Sequence, residues 1–448
     1  MFVVRRTFAK LLCADEYYKS IQPLFFFTHA LGITSYAVVS NERGFKALKI
    51  SRYSHIVIFL TLSLFAYCCV YTIYCNVTYI GQFLNTDITN GGEMAIVLAS
   101  GIAAVIVLIT NTLRRRQLLW VFEYFPKIDE SFERIGIRWN YTKVLQNVIW
   151  QLIFTGFIFS ITLVIFIGCW VRLEVLPSWQ LIYITLNQLI GISFTILVFN
   201  FLMMSTKLRL TALNKVLKKL AHQWDNSIVK PMPKQRSLQC LDSFSMYTIV
   251  TNNPCEIIQE SMEIHHMICD AASTANKYFT YQLLTIISIA FLLIVFDAYY
   301  VLEILLGKSA HEGKFKTAEF VTFFSCQMIL YVIAIVSIVE GSNRAIQKSE
   351  KTSGIVHSLL NKAKNAELKE KLQQFSLQLL HLKIHFTAAG LFNIDRTLYF
   401  TISGALTTYL IILLQFSNSN VPEHPFPPME ENDTTPIRSL VSNLTIGG

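Results

Sequence analysis

The sequence predicts an all-α membrane protein with seven transmembrane helices, a cytoplasmic N-terminus and an extracellular C-terminus. Three observations predict it. Of 448 residues, 53% are hydrophobic and only 15% are charged, where an ordinary soluble domain carries roughly 25% charged residues. Seven stretches are apolar over lengths near the ~20 residues needed to cross hydrocarbon. Finally, the basic residues are sorted: 33 of the 38 Lys and Arg fall in alternate inter-span segments, and such segments face the cytoplasm by the positive-inside tendency.

Each element follows in order. Residues 1–53 carry eight basic residues and a stretch without Lys, Arg, Asp or Glu, 20–41, around "PLFFFTHALGITSYAVV". Pro23, His29 and Ser35 interrupt it and both flanks are basic, so a helix lying in or dipping into the inner leaflet is expected rather than a crossing. Spans one to four lie within 54–203, at 54–75, 94–112, 145–169 and 180–203. Residues 204–280 form a long cytoplasmic loop whose middle, "KPMPKQRSLQC", is weakly structured between helical stretches. Spans five and six occupy 281–306 and 318–341, within 281–341. In 342–396, Ile355, Leu359, Ala363, Leu368, Leu372, Phe375 and Leu379 recur at three- to five-residue steps, which predicts one Lys-rich amphipathic helix. Periodicity alone allows it to lie on the membrane or to pack against other subunits. The seventh span is 397–416, and 417–448 is an acidic, Pro-rich extracellular tail.

Sequons agree with this orientation. Asn76, Asn432 and Asn443 each begin an N-x-[ST] triplet in a segment assigned outside, where glycosylation occurs. Asn140 begins a fourth on the cytoplasmic side and is expected to stay unmodified. No cleavable signal peptide is read, because Arg5, Arg6 and Lys10 flank only a short apolar patch. The net charge of +9 is spent on topology, which argues against a nucleic-acid partner.

Nothing in the sequence points to catalysis. A phosphate-binding glycine loop, HExxH and GxSxG are all missing, and the nine cysteines form no CxxC pair. His265 and His266 are adjacent and point to different helix faces. His381 and His385 share a face but have no acidic or Cys partner nearby. No enzyme activity, metal or cofactor is expected.

Residues 387–416 read "TAAGLFNIDRTLYFTISGALTTYLIILLQF". This resembles the C-terminal signature of insect gustatory receptors: a Thr-Tyr pair (Thr408, Tyr409), five apolar residues, then Gln415 and Phe416. "GLFNIDRTL", together with "FLNTDIT" and the early Arg pair, is most similar to the broadly tuned branch linked to bitter compounds, nucleosides and warmth; the fructose-sensing branch is the second candidate. The resemblance implies a ligand-gated, non-selective cation channel of four identical subunits in the plasma membrane of chemosensory neurons. It further implies a pore built from the last span, a cytoplasmic anchor built from the inner ends of later spans, and a tastant pocket opening outward within the earlier spans. A seven-span receptor coupled to G proteins would have its N-terminus outside, opposite to the charge pattern. A secondary transporter would usually show internal repeats, and no half-to-half similarity is found.

Polar residues inside spans are costly and are functional candidates by default. The ligand-binding candidates are Trp150, Gln151, Asn187, Gln188, Gln327 and Tyr331; the alternative role of such groups is bonding helix to helix, which is also the preferred reading of Asp297. In the last span, Thr408 and Gln415 are seven residues apart and so lie within ~20° of each other. Thr401, Gly404, Thr408 and Gln415 form one narrow stripe bordered by Ile412. The pore and gate candidates are therefore Thr408, Ile412, Leu414, Gln415 and Phe416. The small residues of the same helix could equally serve close packing.

Overall fold

The computed structural model describes residues 14–30, 36–40, 46–50, 52–77, 87–174, 177–227, 254–306 and 314–419. The middle of the expected 204–280 loop, nearly all of the tail, and Asn432 and Asn443 lie outside the described residues.

Seven helices are long and apolar enough to cross a membrane: α2 (Arg52–Tyr74), α3 (Asp87–Leu113), α5 (Tyr141–Leu173), α6 (Trp179–Ser227), α7 (Pro254–Leu305), α8 (Lys314–Lys362) and α10 (Thr397–Ser419). Three shorter helices complete the described helical set: α1 (Tyr17–Ala30), α4 (Arg115–Arg134) and α9 (Ala366–His381). Two small antiparallel hairpins join them, β1 (Tyr36–Ser40) with β2 (Lys46–Ile50) and β3 (Thr387–Ala388) with β4 (Phe392–Asn393).

The stretch 20–41 is not one helix. α1 ends at Ala30, and Tyr36–Ser40 pairs with β2 in register Tyr36↔Ile50. Its 14 residues extend about 21 Å, short of a ~30 Å hydrocarbon core. Tyr17, Ile21, Leu24 and Phe25 are buried, at the spacing of one helix face, while Phe26 and Phe27 are exposed. The chain is stitched down by Ala14 and Thr142, which bond reciprocally at 3.3 Å.

Helices α6, α7 and α8 are 49, 52 and 49 residues long. Each extends about 75 Å, more than twice the hydrocarbon thickness, so all three continue unbroken well past their apolar runs. There they extend the main core with α4 and α9: Leu213, Leu217, Ile258, Ile264, Ile268, Val356, Leu359, Leu372 and Phe375 are all fully buried. α4 joins this core through Leu118, Val121, Phe122, Phe125, Ile128 and Phe132. Its Asp129 accepts two hydrogen bonds from Arg209 of α6, at 2.9 and 2.7 Å, and the guanidinium lies 4.1 Å from the Phe125 ring centroid and 5.1 Å from that of Trp139. Removing one partner from such a buried pair typically costs about 3–5 kcal/mol.

The predicted helix over 342–396 is also corrected. It breaks between Lys362 and Ala366, where Asn365 caps α9 by accepting from the Glu367 amide at 3.1 Å. α9 then returns along α7: Lys371 donates to Gln259 at 2.6 Å, and Gln378 to the Met262 carbonyl at 3.0 Å. The β3–β4 hairpin carries the chain into α10. Ala389 and Gly390 both have positive φ (52° and 74°) at its turn, a conformation that glycine adopts without steric cost. The turn docks on α7, with the Ala389 amide donating to Thr280 Oγ1 at 2.8 Å.

Candidate ligand cavity and the exposed face of the last helix

Two cavities open among the spanning helices. The smaller, about 100 Å³, lies at the end away from the basic segments. α3 contributes Glu93 and Ser100, α5 Phe166 and Trp170, α6 Gln188, α7 Asp297, and α8 Phe323, Phe324, Gln327 and Tyr331. Ser100 Oγ donates to Gln188 Oε1 at 2.8 Å, which turns the amide nitrogen of Gln188 away from that contact and leaves it without a hydrogen-bond partner among the described residues. Asp297 is only 2% exposed, and its Oδ2 likewise lacks a partner there. An aromatic wall with a few convergent polar atoms is what a small-molecule site requires. An unpaired buried polar atom costs free energy until something bonds to it.

The larger cavity, about 670 Å³, lies between α5, α6 and α8 and reaches the basic end of the bundle. Gln151 lines it and donates weakly to Met204 Sδ at 3.7 Å. Tyr331 borders both cavities. The structure therefore brings Gln188, Gln327 and Tyr331 together but places Gln151 with Tyr331 alone. Trp150 is 69% exposed and points out of the bundle, and half-buried Asn187 lines neither cavity.

Sequence reasoning missed Glu93 because the apolar run was read from residue 94; the helix in fact starts at Asp87. An acid one residue outside an apolar run is easily assigned to a loop. Phe166, Trp170, Phe323 and Phe324 gave no signal, because aromatic residues are ordinary in spans.

The last helix is built differently from the other six. Asp395 caps it, accepting from the Thr397 amide at 2.9 Å. Leu398, Tyr399, Ile402 and Leu406 pack on the main core, and Leu410, Leu413 and Leu414 on the cluster near the cavity. Thr401, Gly404, Thr408, Ile412, Gln415 and Phe416 are exposed. Only 6% of the most apolar window of this helix is buried, against 17–61% for the others. Two of its exposed threonines bond within the helix: Thr407 donates to the Ser403 carbonyl and Thr408 to that of Gly404, each at 3.0 Å. Thr408, Ile412, Gln415 and Phe416 thus share the uncovered side, whereas Leu414 faces its own bundle.

Of the sequon residues, Asn76 is described; it is exposed in the turn after α2, with φ 51°. Asn140 spends its side-chain oxygen capping α5, accepting from the Lys143 amide at 3.3 Å. Among the described residues no group of three or more His, Cys, Asp and Glu could hold a metal.

A bundle of seven membrane helices, with a partly polar cavity at one end and one helix left largely uncovered, defines a multi-pass receptor-like membrane protein. The profile of the family described as 7tm chemosensory receptor matches residues 21–420. Two Drosophila melanogaster proteins are similar over nearly the whole chain. Gustatory receptor 28b is 53% identical over 93% of this chain and 89% of its own. Gustatory receptor 28a is 31% identical over 95% and 97%. Among solved structures, the insect olfactory receptor OR5 from Machilis hrabei in complex with eugenol superposes with a TM-score of 0.59, at 14% identity, over 89% of this chain and 98% of that one. The chain belongs to the insect gustatory receptors of the 7tm chemosensory receptor family. It is a multi-pass protein of the plasma membrane.

Proposed function

We propose that this receptor is a ligand-gated, non-selective cation channel, a homotetramer whose last helices line the pore and which a small tastant opens from the cavity beside Gln188 and Asp297. The uncovered stripe of α10 carries the reading. A helix that exposes Thr401, Gly404, Thr408 and Gln415 gains nothing from lipid, and several copies around an axis would enclose those groups in water. Closed rotational symmetry is the usual arrangement of identical subunits; the number four comes from the family resemblance. Exposed Leu377, Leu380 and Leu391 at the basic end offer further apolar surface for neighbouring subunits. Tastant, permeant cations and lipid are the partners, and no chemical step is involved.

The sorted basic residues support an inside N-terminus and an outside C-terminus, an orientation in which the smaller cavity faces the tastant. Within the family, the resemblance carried by "GLFNIDRTL" and "FLNTDIT" supports the broadly tuned branch. The test is whole-cell current recording on cells expressing the chain, with bitter compounds, nucleosides, sugars and temperature steps. Cation current evoked by at least one stimulus is expected; none under any of them overturns the channel reading. An N-terminal epitope stained on intact cells overturns the orientation.

A further inference from the structure

We infer that the larger cavity is a binding site for an anionic phospholipid, with an acyl chain in the groove and the headgroup phosphate on Lys207 and Arg344. The inference is independent of whether the chain conducts ions.

The groove is walled by apolar side chains of three helices. Phe154 and Ile158 come from α5, Ile192 and Ile196 from α6, and Ile333 and Val336 from α8. Phe154, Ile333 and Val336 are more than a third exposed, so the mouth opens on the flank that meets lipid in a membrane. From Leu330 to Arg344 the groove follows α8 for about 21 Å at ~1.5 Å per residue. That exceeds the ~15 Å depth of one leaflet of a ~30 Å core, so a single acyl chain can lie along it from headgroup level inward.

Charge is confined to one end of the groove. Lys207 and Arg344 line it there, and Arg344 and Lys348 are near enough to Lys207 for their charges to oppose its own. The one acid in the lining, Glu340, is engaged on both oxygens by Arg396, at 2.9 and 3.1 Å. Its contact with Arg344 is a loose 4.0 Å. Two cations with a third behind them, closing a dry groove at membrane-surface level, complement a lipid phosphate; basic pockets between membrane helices bind anionic headgroups in the same way. A zwitterionic headgroup would bring its own ammonium into this positive field. A free anion would leave the apolar length empty.

The test uses the full chain purified in detergent. Palmitoyl-oleoyl phosphatidylserine and phosphatidylcholine are added at equal concentration, and retained lipids are counted by native mass spectrometry. The parent should retain phosphatidylserine in preference, on the order of tenfold given two headgroup contacts. Lys207→Gln with Arg344→Gln should bring the ratio near one, while Arg138→Gln, which removes one charge outside the groove, should leave it unchanged. Thr155→Trp, which blocks the groove and spares the rim, should lose the preferred lipid. Gel-filtration profiles matching the parent establish that the variants are folded. Equal retention of both lipids by the parent, a preference that survives the double substitution, or retention by Thr155→Trp each overturns the site. Displacement of the lipid by inorganic phosphate at equal concentration does so too, by marking a bare anion site.

Discussion

Arg396 holds Glu340 through two parallel hydrogen bonds, Nε to Oε1 at 2.9 Å and Nη2 to Oε2 at 3.1 Å. The pair fastens the residue immediately before α10 to the basic end of α8. Any movement of the last helix at that end has to stretch or break it. Because Arg396 is largely exposed, its contribution to overall stability is small, and in the proposed channel its effect falls on the closed–open balance. Arg396→Gln and Glu340→Gln should each change the open probability at rest by up to about fivefold. The double variant should differ little from either single one. Single-channel recording checks this; additive effects would show that the pair is not coupled.

Stability should depend on pH through His265. Burial beneath α9, against the Phe375 ring, together with the neighbouring His266, lowers its pKa to about 4. The unfolded chain takes up a proton near pH 6.5 while the folded one does not, so stability is complete above that value and is lost as pH falls toward 4. Between pH 6.5 and 5 the loss is about 2 kcal/mol. The apparent melting temperature of purified protein should fall over this interval, and His265→Leu should flatten the fall. An unchanged slope in that variant would assign the effect to other groups.

Glycosylation gives the cheapest check of orientation. Asn76 is exposed in a turn on the side assigned outside, and Asn140 caps α5 on the other. Asn76→Gln should lower the apparent mass on a gel by one glycan, a part of the shift that glycosidase treatment gives with Asn432 and Asn443 glycosylated as well. Asn140→Gln should leave the mass unchanged, although losing the cap should cost about 1 kcal/mol. Sensitivity of the mass to Asn140 alone would invert the topology.

The seven apolar runs were legible because a membrane span is a property of composition over ~20 residues, which no distant contact can overrule. Where helices end was less legible. α6, α7 and α8 continue far beyond their apolar runs, since buried contacts such as Leu213 with its neighbours replace lipid as the apolar environment. The helix Arg115–Arg134 is legible in the sequence, with Leu118, Val121, Phe122, Phe125 and Phe132 at helical spacing. The basic residues around it mark it only as a segment between spans. In 342–396 the apolar spacing was read correctly at Leu368, Leu372, Phe375 and Leu379, all buried, but Asn365 as a cap between two helices was not. The cavity was the least legible part, since Glu93, Gln188 and Asp297 converge from three helices far apart in sequence.

Asp297 and Gln188 each present an unbonded polar atom at the smaller cavity, and these atoms are expected to meet the tastant. Asp297→Asn keeps the shape and exchanges the carboxyl for a carboxamide, which changes the hydrogen bonds offered to the cavity. It should shift the stimulus concentration for half-maximal current by about tenfold, the upper scale of one neutral hydrogen bond at ~0.5–1.5 kcal/mol. Gln188→Leu also frees Ser100 and should act in the same direction. Surface labelling equal to the parent is the control. Dose–response curves unchanged in both variants would place the ligand elsewhere.

Gln415 decides whether the exposed face of α10 is a conduction path. It lies about two helical turns beyond Thr408 on the uncovered side of the helix, with Ile412 and Phe416 beside it. In a ring of subunits its amide oxygens give a weak, uncharged field that passes hydrated cations with little choice among them, and the neighbouring apolar side chains can close the path by dewetting. Gln415→Ala should alter conductance or the Na⁺-to-K⁺ preference with surface expression near normal, because the side chain is exposed. Gln415→Glu places several carboxylates around the axis, which bind Ca²⁺ with hard oxygen ligands; divalent permeation or block should rise. Thr401→Val tests the other end of the same stripe and should reduce conductance by making the wall apolar. Leu414, which faces its own bundle, should tolerate Leu414→Met with unchanged selectivity. If the Gln415 variants reach the surface and conduct like the parent in Na⁺, K⁺ and Ca²⁺ solutions, the stripe does not line the pore.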